Sequence, residues 1–112
     1  MLRTFKAGDP TRNGLDIAGR EGQPVLAAGD GEVVYSGNGL IGYGELVIVK
    51  HDDRLLSAYG HNRQRLVREG DRVTRGQRIA ELGRNDRNEA VLHFEIRRDG
   101  KPIDPLGLLP AR

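Results

Sequence analysis

Glycine recurs along this chain at positions 14, 19, 22, 29, 31, 37, 39, 42, 44, 60, 70, 76 and 83, so hardly any stretch of helix length is free of a breaker. A glycine inside a helix forfeits about 1 kcal/mol relative to alanine, which leaves short strands and tight turns as the accessible alternative. Segments 24–27, 31–36, 45–50, 55–59, 78–82 and 91–97 are rich in Val, Ile, Leu or aromatic residues and are bounded by Gly, Asp or Asn. The expected class is all-β, an antiparallel sheet with little or no helix.

Within 91–97 a period of two sets Leu92, Phe94 and Ile96 on one face, expected to be core, and Val91, His93, Glu95 and Arg97 on the other. Residues 46–49 do not alternate, which predicts a central strand covered on both faces. Segments 28–33 and 69–73 share a Gly-Asp turn between extended stretches and suggest quasi-repeated hairpins. The stretch 103–110 reads as a capping strand or arm whose leucines dock on the rest.

With 112 residues, 37% hydrophobic and 30% charged, the chain has room for a single domain, 1–112 with its core over about 12–110. The longest apolar runs fall far short of the roughly 18 residues of a membrane-spanning helix. A net charge of +2 with scattered signs, 4% aromatics and no basic stripe argue against nucleic acid as a partner. The lack of cysteine forbids disulfides and thiolate zinc sites. No signal segment precedes Arg3, Thr4, Phe5 and Lys6, so the chain reads as the C-terminal fragment of a longer protein.

Only three histidines are available for chemistry. His51, in Lys50-His51-Asp52-Asp53, reads as a structural residue at a turn. His61 follows the strand ending in Ala58-Tyr59-Gly60, and His93 lies opposite an apolar face, so these two imidazoles are expected to converge on one cleft.

The ordered set Asn13-Gly14-Leu15-Asp16-Ile17-Ala18, Pro24-Val25-Leu26-Ala27-Ala28-Gly29-Asp30-Gly31, Gly42-Tyr43-Gly44, Tyr59-Gly60-His61-Asn62, Val73-Thr74-Arg75-Gly76-Gln77 and Leu92-His93-Phe94-Glu95-Ile96-Arg97 resembles the LytM-type, or M23, zinc peptidase domain of bacterial cell-wall hydrolases. Singly these motifs are weak. In this order and spacing they are specific. In active members of that family a His four residues before the Asp, the Asp itself and the second His of a His-x-His pair hold zinc, while other histidines assist the attacking water. By resemblance the Asp is Asp16, the second His is His93 and the strand-end catalytic His is His61. The pattern breaks twice: Arg12 stands four residues before Asp16, and Val91 stands two before His93.

The resemblance therefore implies vestigial ligands Asp16 and His93, no bound metal, no cofactor and no peptidase activity. Two protein ligands hold zinc far more weakly than the usual three. The Arg12 guanidinium would repel a divalent cation and is expected to pair with Asp16 instead. Without a metal no water is acidified toward neutrality.

Degenerate domains of this kind are similar to lipoprotein activators of cell-wall amidases in Gram-negative bacteria. That likeness implies a periplasmic domain acting at the division septum, tied to the outer membrane by a lipid anchor outside this chain. Its partner would be an N-acetylmuramoyl-L-alanine amidase relieved of autoinhibition, with peptidoglycan as a further candidate ligand. The former substrate groove becomes a partner-binding groove formed by Arg12, Asp16, Tyr43, His61, Val91, His93 and Arg97; Tyr and Arg are residue types that dominate interface energy. Glu95 reads as a surface or ion-pair residue rather than a base. The alternatives are an active zinc metalloendopeptidase, opposed by Arg12 and Val91, and a plain peptidoglycan-binding module. A biotinyl or lipoyl carrier needs a lysine at a hairpin tip, and Lys6, Lys50 and Lys101 lie in no such turn.

Overall fold

The computed structural model describes residues 13–104. Nine strands follow one another: β1 (Leu15–Ala18), β2 (Pro24–Leu26), β3 (Gly31–Gly37), β4 (Glu45–Lys50), β5 (Leu55–Arg65), β6 (Arg72–Val73), β7 (Arg78–Leu82), β8 (Val91–Arg98) and β9 (Lys101–Ile103). The described residues contain no helix, and the pairings are antiparallel. The main path of the sheet runs β1-β8-β5-β4-β3-β6; β7 also pairs with β5, β2 with β7 and β9 with β8.

Strands β4 and β7 have the bounds the sequence predicts, and β2, β3 and β8 differ from expectation by one residue. Strand β5 is longer, because the chain does not stop at Tyr59. It passes through His61, shifts register between Asn62 and Gln64, and delivers its last residues to β7. Strand β1 has a weak intrinsic signal and exists because Asp16 and its neighbours pair with β8. Of the expected arm over 103–110 only Ile103, the last residue of β9, and Asp104 are described; Leu106, Leu108 and Leu109 lie outside the described residues, as does Arg12.

One cluster fills the interior, with Leu15, Val33, Val47, Val49, Tyr59, Ile79, Phe94 and Ile96 among its members. Leu46 and Val47 are both fully buried, so β4 is covered on both faces as its unbroken apolar run predicts. Strand β8 departs from the simple alternation. Phe94 and Ile96 enter the core, but Val91 and Glu95 on the opposite face are also only 1% exposed.

The quasi-repeat takes the form of two strand–turn–strand corners locked together. Strands β2 and β3 make one corner, β6 and β7 the other, and β2 pairs with β7 while β3 pairs with β6. The aspartates hold the corners: Asp71 Oδ2 accepts the Arg68 N–H at 2.8 Å, and Asp30 Oδ1 accepts the Arg75 N–H from the other corner at 2.7 Å.

A buried polar chain ties this end of the fold to β5. The Ala28 N–H donates to the Tyr59 hydroxyl at 2.9 Å, that hydroxyl lies 2.6 Å from Ser57 Oγ, and Ser57 Oγ lies 2.7 Å from His51 Nε2. The other ring nitrogen of His51 donates to the Asp30 carbonyl at 2.7 Å. His51 is therefore structural, as the sequence suggests. Tyr59→Phe keeps the ring contact with Phe94 but strands the Ala28 N–H and leaves Ser57 Oγ with His51 as its one remaining partner. A loss of about 1–3 kcal/mol is expected, seen as a lower urea midpoint at unchanged slope.

Candidate functional site

The face of the sheet turned away from the core carries a row of polar side chains set by strand register. Asp16 on β1 and Gly60 on β5 flank His93; Ala58 lies beside Glu95, and Leu56 beside Arg97. The floor must be small at Gly60, since a Cβ there would come within 3.2 Å of the Tyr43 carbonyl and 3.6 Å of His93. The β3–β4 loop lays Tyr43 across this face, its ring centroid 5.7 Å from that of His93.

His93 bonds on both sides, from Nδ1 to Asp16 Oδ1 and from Nε2 to Glu95 Oε2, each at 2.7 Å. A carboxylate only accepts, so the protonated form of the ring is the one that can donate to both neighbours. Glu95 also takes the Tyr43 hydroxyl proton at 2.9 Å on Oε2 and the Arg97 guanidinium on Oε1, with Nε and Nη2 each at 2.8 Å. Asp16, His93, Glu95 and Arg97 thus form one hydrogen-bonded row in which, when His93 is protonated, acidic and basic groups alternate.

The titration of these groups follows from the contacts. Burial pushes the Glu95 carboxyl up, but the bonds from His93 and Tyr43 and the charge of Arg97 outweigh it and hold the group at about 2. Burial disfavours the His93 cation, yet its two carboxylate partners raise its pKa above the usual value. His61 is pushed down, by burial first and then by the neighbouring His93 charge. Burial and Glu95 raise Tyr43.

His61 reaches the cleft through a backbone irregularity. Its φ of +66° lies in the left-handed region, which costs a residue other than glycine about 1 kcal/mol or more. The conformation is held from both sides: the His61 N–H donates to the Tyr43 carbonyl at 2.7 Å, and the His61 carbonyl accepts the Gly83 N–H at 2.9 Å. Asn62 secures the bend by donating to the Glu45 and Tyr59 carbonyls. The His61 ring lies edge-on to His93, centroids 6.2 Å apart.

Beyond Glu95 and Arg97 the cleft opens into a pocket of about 240 Å³, lined by Leu40, Leu46, Ile48, Leu56 and Ala58, with Tyr43 on one wall. Of its lining residues Leu40 is 44% exposed.

The structure thus brings together five of the residues singled out from sequence: Asp16, Tyr43, His61, His93 and Arg97. Val91 shares the face of His93 on β8, buried, and Arg12 lies outside the described residues. Asp16 pairs with His93 in this arrangement. Glu95 corrects the sequence reading in one respect: it is an ion-pair residue but not a surface one, and it is the hub of the row. Its place two residues after His93 and two before Arg97 is the signal that could have revealed this. The pocket had no such signal, because Leu40 comes from a loop without periodicity.

Comparison with known proteins places these features in a family. Residues 10–105 match peptidase family M23. The chain is 57% identical over its full length to a lipoprotein NlpD/LppB homolog of Pseudomonas aeruginosa and 50% identical to the murein hydrolase activator NlpD of Escherichia coli. It spans 38% and 30% of their respective lengths. Among solved structures, a zinc containing peptidase from Vibrio cholerae superposes with a TM-score of 0.82 at 30% identity, over 99% of this chain and 36% of that one.

Proposed function

Because the chain belongs to peptidase family M23, we propose that it keeps the family's cleft and puts it to a different use, binding an N-acetylmuramoyl-L-alanine amidase and raising that enzyme's activity without cleaving peptides itself. The observation that carries this reading is the closed row Asp16–His93–Glu95–Arg97. Zinc held as in this family takes a lone pair from His93, and here both ring nitrogens are engaged by carboxylates, Nδ1 by Asp16 and Nε2 by Glu95. Val91 offers no donor where the His-x-His pattern has its first imidazole, and Arg12 offers none where the first ligand stands. Among the described residues no group of three or more His, Cys, Asp or Glu side chains is placed to hold a metal ion. The donors present do not fit zinc. The name carried by the Escherichia coli relative, a murein hydrolase activator, supports the same reading.

The mechanism is a shift of populations. A partner that exchanges between closed and open forms is driven open only by as much as the cleft prefers the open one. The cleft is suited to this because its polar groups are already ordered by one another, which lowers the entropy lost on docking. The relatives' designation as lipoproteins supports a place in the periplasm, held to the outer membrane by a lipidated segment outside these residues, with peptidoglycan near at hand as a further ligand.

The test is amidase turnover on dye-labelled cell-wall sacculi with the chain added. The wild-type chain is expected to stimulate release, and Tyr43→Ala and Arg97→Ala each to lose about tenfold or more of that stimulation while remaining folded. Stimulation by both variants at the wild-type level would falsify the groove assignment. Stoichiometric zinc in the purified chain, with cleavage of peptide crosslinks in the absence of amidase, would restore the peptidase alternative.

A further inference from the structure

The β3–β4 loop carries a reactive group that neither the row nor the pocket uses. The chain contains two Asn-Gly dipeptides, Asn13-Gly14 and Asn38-Gly39. In such a pair the backbone nitrogen of the glycine can attack the side-chain carbonyl carbon of the asparagine, because no Cβ on the second residue stands in the way. A bond forms between that nitrogen and that carbon, the bond from the carbon to the side-chain amide nitrogen breaks, and ammonia leaves with the proton that the glycine nitrogen gives up. The product is a succinimide. Water then opens the ring at either carbonyl, leaving an aspartyl or an isoaspartyl residue, with no oxidant, reductant or cofactor involved.

The two dipeptides differ in their surroundings. Gly14 is buried, and a Cβ built on it would run into the Phe94 carbonyl oxygen, so its backbone is pressed against β8 and is not free to turn onto Asn13. Asn38 and Gly39 are both exposed, between the end of β3 at Gly37 and the start of β4 at Glu45. One bond restrains them. The Gly39 N–H donates to the Tyr35 hydroxyl at 2.9 Å. Attack requires that nitrogen to lose its proton and to face Asn38, whereas the bond to Tyr35 keeps the proton in place and fixes the direction of the N–H. The Asn38 amide also has a part in the fold: the Arg65 bond first, and the Asn38 bond after it, hold the Glu45 carboxyl below its ordinary range against the opposing effect of burial. A carboxylate at position 38 would remove that donor and set a like charge beside Glu45. The same loop brings Leu40 to the pocket and Tyr43 to the row, so the change falls on a segment that shapes the cleft.

We infer that the Asn38-Gly39 pair is a site of spontaneous deamidation through a succinimide, and that the Tyr35 hydroxyl sets its rate by holding the Gly39 N–H. Asn13-Gly14, of the same composition, is spared by its packing against β8.

Mass-spectrometric peptide mapping of the purified full chain, kept folded for days at mildly alkaline pH, tests this, with aspartyl and isoaspartyl products separated by chromatography. Conversion is expected at Asn38 and not at Asn13, faster as pH rises because the attacking nitrogen must be deprotonated. Tyr35→Phe keeps the ring and removes the acceptor; with folding checked by circular dichroism, it is expected to convert Asn38 about two- to tenfold faster, the factor carried by one ordinary hydrogen bond. In urea both sites are expected to convert, which assigns the difference between them to the fold. The inference is overturned if Asn38 stays intact in the folded chain under conditions that convert it in urea, or if folded Asn13 converts as fast. It is equally overturned if Asn13 stays intact even in urea, or if folded Tyr35→Phe converts at the wild-type rate.

Discussion

Glu95→Ala is expected to remove about 3–5 kcal/mol of folding free energy, the loss typical when one member of a buried ion pair is deleted. The carboxylate is 1% exposed and is the acceptor shared by His93, Tyr43 and Arg97; its removal leaves the His93 Nε2, the Tyr43 hydroxyl and the Arg97 guanidinium without their common partner. For a domain of this size, whose total stability is on the order of 5–15 kcal/mol, that is a large fraction. The same row gives the wild type a definite pH profile. Glu95 is held at about 2 when folded against an ordinary value of 4.5, so its contribution is present above pH 4.5 and fades as pH falls from there toward 2. His93 is raised from 6.5, so its contribution is full below pH 6.5 and fades as pH rises through the folded value. The row therefore stabilises most between these limits. Urea midpoints taken across that range should trace a dome in the wild type and lose the acid limb in Glu95→Ala; an unchanged acid limb would contradict the assignment.

Gly83→Ala is expected to damage fold and cleft together. A Cβ at position 83 would lie 2.6 Å from the Arg63 nitrogen, 2.8 Å from the Asn62 carbonyl carbon and 2.8 Å from the His61 oxygen. All three are backbone atoms of β5, so no side chain can swing aside and the strand itself must move. The cost should reach the upper end of the roughly 1–3 kcal/mol seen for overpacked sites. The displacement falls on the bulge that aims His61. A loss of amidase stimulation larger than the fraction unfolded can explain, from turnover and circular dichroism on the same sample, is the expected outcome; a variant as stable and as stimulatory as the wild type would remove Gly83 from its supporting role.

How much of this could be read from sequence depended on how local the cause was. Strands β4 and β7 carry their own apolar signal and have the predicted bounds. Strand β1 does not: Leu-Asp-Ile-Ala is extended because β8 offers it a pairing edge, which no window around residue 16 reveals. The continuation of β5 past Gly60 was hidden for the opposite reason, since glycine and a left-handed histidine look like a strand end when they form a bulge. Asp16, His61 and His93 were legible as a set because few side chains in this chain can do polar chemistry in a cleft. Glu95 was misjudged because alternation predicts faces and not cover, and the cover here is Tyr43, 52 residues away.

The contact between Asp16 and His93 joins positions separated by 77 residues. One belongs to the first strand and the other to the eighth, and β8 is also the strand that carries Glu95 and Arg97. A nascent or proteolytically clipped polypeptide without β8 thus lacks three of the four members of the row. The row is completed in one step, when β8 has been made and has met β1.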